Sequence, residues 1–300
     1  MISFRPITLG DKPVFDAFFR AKRYEQSSCT FTNLYMWRRC YNIVWDVVDD
    51  CLCLKVTYGG STYNLPPFGP DQERFAAALD KLEQHYNASG MPFYMKSATP
   101  DLVEWCEAVK PGYFEFQPDR DNYDYVYVTR DLIDLQGRKF HIKKNHLNNF
   151  KKTYSQYEYR AIDSSLTEAC IDFAVEWCRK RECDPDPALV CERDAIIDVM
   201  HNWDTLGVTG GAILINGKIE AFTFGEMLND EMAVIHVEKG DSEIRGVYQA
   251  INQEFCQNVW SQVPFVNREE DMGIPGIRKA KESYSPIKMI EKYNISIKPR

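Results

Sequence analysis

The sequence predicts a mixed α/β fold built as two tandem halves, residues 1–135 and 136–300. Strand-like runs alternate with amphipathic helices along all 300 residues. One order of elements (strand, turn, long helix, strand, helix, closing strands) occurs in each half. Neither G-x-G-x-x-G nor G-x-x-x-x-G-K-S/T is present, which argues against a doubly wound dinucleotide fold and a P-loop. We therefore expect a mixed sheet with helices in each half.

The elements of the first half follow from periodicity and turn residues. A helix is indicated where Val14, Phe15, Phe18 and Phe19 share one side. The Asp49-Asp50 pair is typical of a hairpin turn. The remaining predicted elements are a strand at 2–5, a helix at 31–39, hairpin strands at 43–48 and 51–58, a strand at 63–65, a helix at 71–87, a strand at 92–96, a helix from 99, and strands at 113–116 and 123–128.

The second half begins with a helical connection at 130–154. Its clearest turn is Asn216-Gly217, which predicts a tight hairpin within 207–227. The other predicted elements are a strand at 157–162, a helix at 167–181, a Pro-rich loop at 183–187, a helix through Ile196 and Met200, a strand at 232–239, a helix at 246–260, a strand at 264–269, a helix at 274–284 and two closing strands.

Composition limits the functional classes. The chain is 44% hydrophobic and 27% charged, as expected for a protein that buries real cores. Its net charge of −8 argues against a general nucleic-acid binder, although a local basic patch remains compatible with it. Among the ten cysteines, Cys51-x-Cys53 lacks the second pair of a structural zinc site. We expect buried free thiols and no metal site.

The start of the sequence, MISFRPITLGDKPVF, lacks the charged and apolar regions of a secretion signal. No run of roughly 18 apolar residues occurs, so no transmembrane segment is expected. These features predict a cytoplasmic protein.

The segment GDSEIRGVYQAIN contains a strand end, a turn with Gly240 and Gly246, and a helix start. Such a turn can present backbone N–H groups and the positive end of the helix dipole to a pyrophosphate. Arg245 could add a charge-assisted contact. An ordinary glycine-assisted helix start remains the alternative. Tyr248 and Trp177 are aromatic residues typical of a core, with a pocket wall as the alternative.

Residues 245–250, R-G-V-Y-Q-A, resemble the acyl-CoA-binding motif of GCN5-related N-acetyltransferases. The resemblance implies that the donor is held by Gly240, Arg245, Gly246, Val247, Tyr248 and Gln249. The usual second glycine of the motif is absent, because Tyr248 or Gln249 stands near its place.

The segment FVNREEDMGIPGIRKAKESY places Glu269, Glu270 and Asp271 at the end of a strand, before a cationic helix. Carboxylates in this position can bind a nucleophilic amine and accept its proton. We predict these acids and Tyr284 as catalytic residues. Anion or acceptor binding is assigned to Asn267, Arg278, Lys279 and Lys281. The alternative is a solvated acidic loop beside an outer helix face.

This stretch, with RGVYQAIN and the basic helix before it, resembles a bacterial family that shares the C-terminal domain of phosphatidylglycerol lysyltransferases. The resemblance covers most of the chain, and N-R-E-E-D-x-G-I-P-G-x-R-K-A-K-x-S-Y is its most specific part. It implies two tandem acyl-CoA N-acyltransferase-like domains. It also implies kinship with enzymes that move an amino acid from aminoacyl-tRNA to a lipid headgroup or a peptidoglycan peptide. The large membrane region of the lipid-modifying members is absent from this sequence.

Residues 138–152 carry six Lys or Arg side chains, including Lys143 and Lys144, and no acid. Phe140, Leu147 and Phe150 recur at helical spacing, so one face can pack while the other presents cations to phosphates. A solvated connector is the alternative. His236, in the apolar strand AVIHV, is interpreted as a core or pocket histidine, with a role as a base also possible.

Two functions remain. In the first, which we favour, the chain is an acyl- or aminoacyltransferase. It would use acyl-CoA or aminoacyl-tRNA as co-substrate, contact coenzyme A or a tRNA acceptor arm, and modify an amine or hydroxyl of a small molecule or peptide. No permanently bound cofactor is expected. In the second, the fold is kept as a binding or scaffold protein without catalysis. The N-terminal half is expected to be structural, since PPFGPDQERF places prolines and an acid where phosphate needs free amides.

Overall fold

The computed structural model describes residues 2–183 and 186–299, and its contacts divide them into two compact units. The first unit comprises Met1–Asp124, Glu270–Gly273 and Ile290–Arg300. The second comprises Tyr125–Glu269 and Ile274–Met289. The chain therefore crosses between the units several times, which differs from the predicted single boundary after residue 135.

Within the described residues, the first unit contains a seven-stranded mixed sheet. Its order is β1-β2-β3-β4-β5-β14-β6, with β4 and β5 parallel and the other pairs antiparallel. The strands are Arg5–Pro6 (β1), Val44–Val48 (β2), Cys51–Tyr58 (β3), Ser61–Asn64 (β4), Tyr94–Ala98 (β5), Phe114–Pro118 (β6) and Tyr293–Ile297 (β14).

The helices of the first unit are Lys12–Ala21 (α1), Phe31–Trp37 (α2), Gln72–Ala88 (α3) and Pro100–Val109 (α4). Asp71 caps α3 by accepting a hydrogen bond from the backbone N–H of Arg74 at 2.8 Å. Phe75, Leu79 and Tyr86 recur on one face of this helix and are completely buried against the sheet. The predicted helix at 71–87 is confirmed.

The described part of the second unit also contains a seven-stranded mixed sheet, in the order β13-β7-β12-β11-β10-β9-β8. Strands β11 and β12 are parallel, whereas the pairs β12 with β7, β10 with β11, β9 with β10 and β8 with β9 are antiparallel. The strands are Asp124–Val128 (β7), Glu158–Ala161 (β8), Thr209–Ile215 (β9), Lys218–Asn229 (β10), Met232–Gly240 (β11), Phe265–Asn267 (β12) and Lys288–Ile290 (β13).

Helices of the second unit include Thr129–Asp134 (α5), His141–Thr153 (α6), Thr167–Lys180 (α7), Pro187–His201 (α8), Trp203–Leu206 (α9), Val247–Asn258 (α10) and Pro275–Glu282 (α11). Leu147 and Phe150 of α6, with Phe140 directly before the helix, are buried in one core with Val247 and Ile251 of α10, as their spacing predicts. The hairpin at Asn216-Gly217 is also confirmed, since these two residues join β9 to β10. Of the predicted loop at 183–187, residues 184 and 185 lie outside the described part of the chain.

Two strands belong to a different sheet from the one their sequence position suggests. Strand β7, predicted to close the first half, pairs with β12 in the second unit. Strand β14, predicted to close the second half, pairs with β5 and β6 in the first unit. The prediction that each strand closes the sheet of its own half is therefore wrong for both β7 and β14. The residue pattern of a strand indicates which side chains are buried, but it does not specify which strand is the hydrogen-bond partner.

The expectation that the cysteines are free thiols holds only in part. Six described cysteines are free and buried: Cys29, Cys51, Cys53, Cys106, Cys170 and Cys256. Cys178 and Cys183, however, form a disulfide. Helix α7 ends in a turn with Glu182 at φ +52°, and the Cys183 N–H donates to the Cys178 carbonyl at 3.2 Å. The turn thereby brings two residues five apart close together.

No helix in the described residues is both long and apolar enough to cross a bilayer.

Candidate functional site

His236 occupies a β-bulge in the middle of β11. Phe224 of β10 lies opposite Val237, and the next residue, Gly225, lies opposite Ile235. His236 is thus the extra residue between two paired positions, and a bulge re-aims the side chain at that point. Its imidazole is fully buried, with 0% of the side chain exposed.

Two glutamates hold the imidazole from opposite ends. His236 Nε2 lies 3.0 Å from Glu226 Oε1, and Nδ1 lies 2.9 Å from Glu269 Oε1. Burial alone lowers the pKa of His236, but the hydrogen bonds and charges of the two carboxylates outweigh it and raise the pKa to about 9. At neutral pH the ring is therefore an imidazolium that donates one hydrogen bond to each carboxylate.

Glu269 reaches His236 from an unusual backbone conformation. Its φ is +58°, in the left-handed region that non-glycine residues adopt only when the surroundings enforce it. The Glu269 N–H donates to Asn267 Oδ1 at 2.7 Å, and its carbonyl accepts from the Tyr125 N–H at 3.2 Å. Asn267, predicted to bind acceptor or anion, is completely buried and shapes this turn.

The pairing between β11 and β12 ends at Val234 and Asn267, and polar side chains occupy the following positions. Arg268 Nη2 lies 3.0 Å from Glu238 Oε1, and Asn252 Nδ2 donates to the other Glu238 oxygen at 2.9 Å. Burial tends to lower the pKa of Arg268, but the charge of Glu238 reverses this and raises it. Arg268, Glu238 and Asn252 therefore form a buried charged cluster, which we call the polar wedge. Its Glu238 lies two residues after His236 on β11.

Three predicted residues adjoin this wedge. The Arg268 guanidinium lies 4.9 Å from the centre of the Tyr284 ring, and Lys143 Nζ lies 4.5 Å from the same ring. Burial raises the pKa of Tyr284, whereas burial and the charge of Arg268 lower the pKa of Lys143. Lys281 Nζ donates to the Arg268 carbonyl. Arg278 and Lys279 lie on the same helix, α11, half-buried and exposed respectively.

The three predicted acids are divided between the units. Glu269 belongs to the second unit, whereas Glu270 and Asp271 belong to the first. There Glu270 Oε2 lies 3.3 Å from Lys292 Nζ, and Asp271 Oδ2 lies 3.2 Å from Arg120 Nη1. Asp271 is completely buried and also accepts from the Gly273 N–H at 2.8 Å. The structure therefore brings Glu269 alone of the three to His236.

The turn predicted to bind the donor is packed with protein groups. The Gly240 carbonyl accepts from Trp177 Nε1 at 3.1 Å and from the Tyr248 hydroxyl at 2.9 Å. A Cβ on Gly246, at φ +89°, would lie 2.4 Å from the His146 carbonyl oxygen, so this glycine permits α6 to pack on the start of α10. The backbone N–H groups of Asp241, Glu243, Ile244 and Val247 donate to protein oxygens.

The other residues that were predicted to bind the acyl donor lie at the start of α10, and their side chains point into different surroundings. Val247 is buried, Arg245 is exposed, and Gln249 is hydrogen-bonded to Tyr284. This packing is what a glycine-assisted helix start requires, and it supplies no direct support for a phosphate on the turn.

The basic segment is partly neutralised within the second unit. Lys144 Nζ donates to the Asp134 carbonyl at 3.2 Å, and Lys139 pairs with Asp131 at 2.9 Å. Lys151 Nζ lies 3.3 Å from Glu254. The side chain that extends toward the polar wedge is Lys143.

Sequence reasoning missed Glu226, Glu238 and Arg268. Each stands in a strand or directly after one, and a charged residue at such a position is ordinarily expected to face solvent. The only available signal was that AVIHVEK and FTFGEM are otherwise continuous apolar strands, in which a charged residue needs a buried partner.

Residues 19–296 match the family model described as phosphatidylglycerol lysyltransferase, C-terminal. A crystal structure from Bacteroides thetaiotaomicron, described as a conserved protein of unknown function, is 39% identical. It has a TM-score of 0.92 and covers 99% of this chain and 100% of its own.

Two more distant structures share the fold. The C-terminal domain of a putative lysylphosphatidylglycerol synthetase from Agrobacterium fabrum is 12% identical, with a TM-score of 0.69, over 97% of this chain and 93% of its own. A tandem GNAT protein from the clavulanic acid biosynthesis pathway is 8% identical, with a TM-score of 0.50, over 99% of both chains. Two tandem acyltransferase-like domains are thus the fold of this chain.

Proposed function

The chain belongs to the family of the phosphatidylglycerol lysyltransferase C-terminal domain, and on that premise we propose that its second unit transfers an acyl or aminoacyl group. The donor is a phosphate-containing molecule, aminoacyl-tRNA or acyl-CoA, and the acceptor is an amine or hydroxyl. The first unit serves as a structural partner.

The observation that carries this proposal is the buried His236 between Glu226 and Glu269. A histidine placed in a bulge and a glutamate held at positive φ are costly features that a purely structural strand does not need. The two carboxylate side chains remain 14% and 15% exposed. They can therefore meet an acceptor from solvent, while the imidazolium fixes their orientation.

The proposed reaction needs positioning and proton transfer, without a covalent enzyme intermediate. An acceptor amine binds as an ammonium beside Glu269, gives up a proton and attacks the donor carbonyl. The new C–N bond forms as the C–O bond of an aminoacyl ester, or the C–S bond of a thioester, breaks. The attacking nitrogen loses its second proton as the C–N bond forms, and the leaving oxygen or sulfur takes that proton. The buried imidazolium holds the Glu269 carboxylate in place through these steps.

Cations near the polar wedge favour an anionic donor. Arg268 is buried at the end of β12, and Lys143 approaches the same tyrosine ring from α6. Lys143 lies among the other cations of 138–152, which suit a phosphate backbone. These contacts support a phosphate-containing donor whose acyl end reaches the bulge.

The donor can be identified by measuring how fast each candidate donor loses its labelled acyl or aminoacyl group. The full chain is incubated with acetyl-CoA or with a mixture of labelled aminoacyl-tRNAs, together with primary amines and lysine-containing peptides. We expect one donor class to transfer label to an acceptor. For tRNA, the affinity should fall steeply between about 50 and 200 mM salt. If neither donor loses its group faster than without protein, the scaffold alternative replaces this proposal.

A further inference from the structure

A cavity of about 500 Å³ lies in the second unit between helix α7 and the β9–β10 hairpin. Its floor is apolar and partly aromatic, formed by Leu166, Phe173, Trp177, Leu214 and Ile219. A volume of this size with an apolar floor is typical of a site for a small organic ligand.

The rim of the cavity carries four cations, Arg160, Lys180, Arg181 and Lys218. Two are neutralised, because Lys180 lies 2.7 Å from Asp241 and Lys218 lies 3.0 Å from Glu220. No carboxylate of the described chain lies within ion-pair distance of Arg160 or Arg181. The rim therefore offers two guanidinium groups to an incoming anion.

The acidic residues on the same rim do not neutralise Arg160 and Arg181. Glu176 forms an ion pair with Arg179 at 2.6 Å, and Asp241 is paired with Lys180. Asp172 is the remaining acid on the rim. Two guanidinium groups thus face one carboxylate that forms no ion pair within the described part of the chain, and the balance of charge favours an anionic ligand.

The wall of the cavity is rigid on the side nearest β11. Trp177 Nε1 donates to the Gly240 carbonyl at 3.1 Å. Lys239 Nζ lies 3.8 Å from the centre of the Trp177 ring. The Arg181 guanidinium lies 5.2 Å from that centre. An aromatic wall fixed in this way is preformed for a ligand, which reduces the entropy lost on binding.

We propose that this cavity binds a small organic anion with an apolar body, such as an aliphatic or aromatic carboxylate. The apolar part packs on Phe173, Leu214 and Ile219, and the anionic group pairs with the rim arginines. The site is separate from the His236 bulge and shares no residue with it.

Matched ligands test the chemistry directly by calorimetry on the full chain. Octanoate is compared with octylamine, and indole-3-acetate with tryptamine, so that each pair shares its apolar body and differs in charge. Acetate tests the charge alone. We expect each carboxylate to bind at least about tenfold more tightly than its amine, and acetate not to bind. Equal binding within both pairs would overturn the proposal.

Variants locate the site. The double variant Arg160→Ala, Arg181→Ala is expected to weaken carboxylate binding about tenfold or more. The double variant Arg130→Ala, Lys152→Ala removes the same charge from exposed positions of the second unit and should leave binding unchanged. Ala169→Trp, on the cavity wall, should abolish it by filling the space. Unchanged binding in the Arg160, Arg181 variant and in Ala169→Trp contradicts the assignment. No donor or acceptor is needed, so this result is independent of transferase activity.

Discussion

A buried imidazole between two carboxylates defines the chemistry of His236. A neutral histidine in this strand would donate a hydrogen bond to only one of the two carboxylates, because a neutral ring has a single N–H. Protonation lets both ring nitrogens donate, to Glu226 and to Glu269. The cluster is thereby stable as a unit at neutral pH, and its proton is released only in alkaline solution.

This arrangement predicts a pH dependence of stability. Since the pKa of His236 rises from 6.5 to about 9 on folding, its contribution is fully present below pH 6.5 and is lost as the pH rises through about 9. The free energy of unfolding should fall by about 3 kcal/mol over that window. Urea unfolding at pH 6.5 to 9.5 measures it. The variant His236→Gln should lack this decline, and parallel curves for the two proteins would argue against the buried imidazolium.

The sequence indicated part of this cluster. Glu269 was identified because it ends a strand before a cationic helix, and His236 because it interrupts an apolar strand. Glu226 could not be paired with His236 in advance, because their contact depends on the register of β10 against β11. Glu270 and Asp271 are adjacent to Glu269 in sequence, but the positive φ at Glu269 redirects the chain into the first unit.

At the scale of elements, the contact of α6 with the start of α10 depends on one glycine. The His146 carbonyl oxygen would lie 2.4 Å from a Cβ on Gly246, and Phe150 Cβ would lie at 2.9 Å. Both atoms belong to α6. The glycine therefore fits a close helix contact, whereas a phosphate-binding turn would need open space at the same place.

Gly246→Ala should destabilise the second unit by about 3 kcal/mol, because it combines a left-handed residue with a backbone clash. Gly207→Ala is the matched control. Its φ is +71°, but nothing lies within 4 Å of the added Cβ, so it should cost only about 1 kcal/mol. Thermal or urea unfolding measures both. Equal losses would show that α6 does not pack on Gly246.

Helices were predicted more closely than strand partners. The apolar spacing of α3 and α10 is local and places each within a few residues of its observed bounds. The predicted helical connection at 130–154 is instead divided into α5 and α6. The turn at 240–246 was interpreted through its glycines, and a glycine needed for a ligand cannot be distinguished by sequence from one needed for packing.

At the scale of the whole molecule, each unit is completed by a strand from the other half of the chain. The first sheet needs β14, and the second needs β7. Expressed separately, residues 1–135 and 136–300 should each fail to unfold cooperatively, whereas co-expression should recover a folded complex. Circular dichroism during denaturation tests this. A cooperative transition in either fragment alone would contradict the strand exchange.

Lys292 ties distant segments of the first unit together. Its ammonium lies 2.6 Å from buried Asp124, which also accepts from the Ser27 N–H at 2.7 Å. Lys292→Met should cost about 3 to 5 kcal/mol, because it removes the buried ammonium that compensates the charge of Asp124. Lys298→Met, at an exposed position, should cost little. The double variant Asp124→Asn, Lys292→Met should recover part of the loss; if it does not, the ion pair is not the cause.

The transferase assignment depends on Glu269 beside His236 as the group that receives the acceptor proton. Once a donor and acceptor are identified, kcat/KM of Glu269→Gln can be compared with wild type and with Glu158→Gln, which changes an exposed glutamate of β8 in the same unit. We predict a loss of about 100-fold or more for Glu269→Gln and no change for Glu158→Gln. A Glu269→Gln enzyme that is folded and retains wild-type kcat/KM would contradict the account.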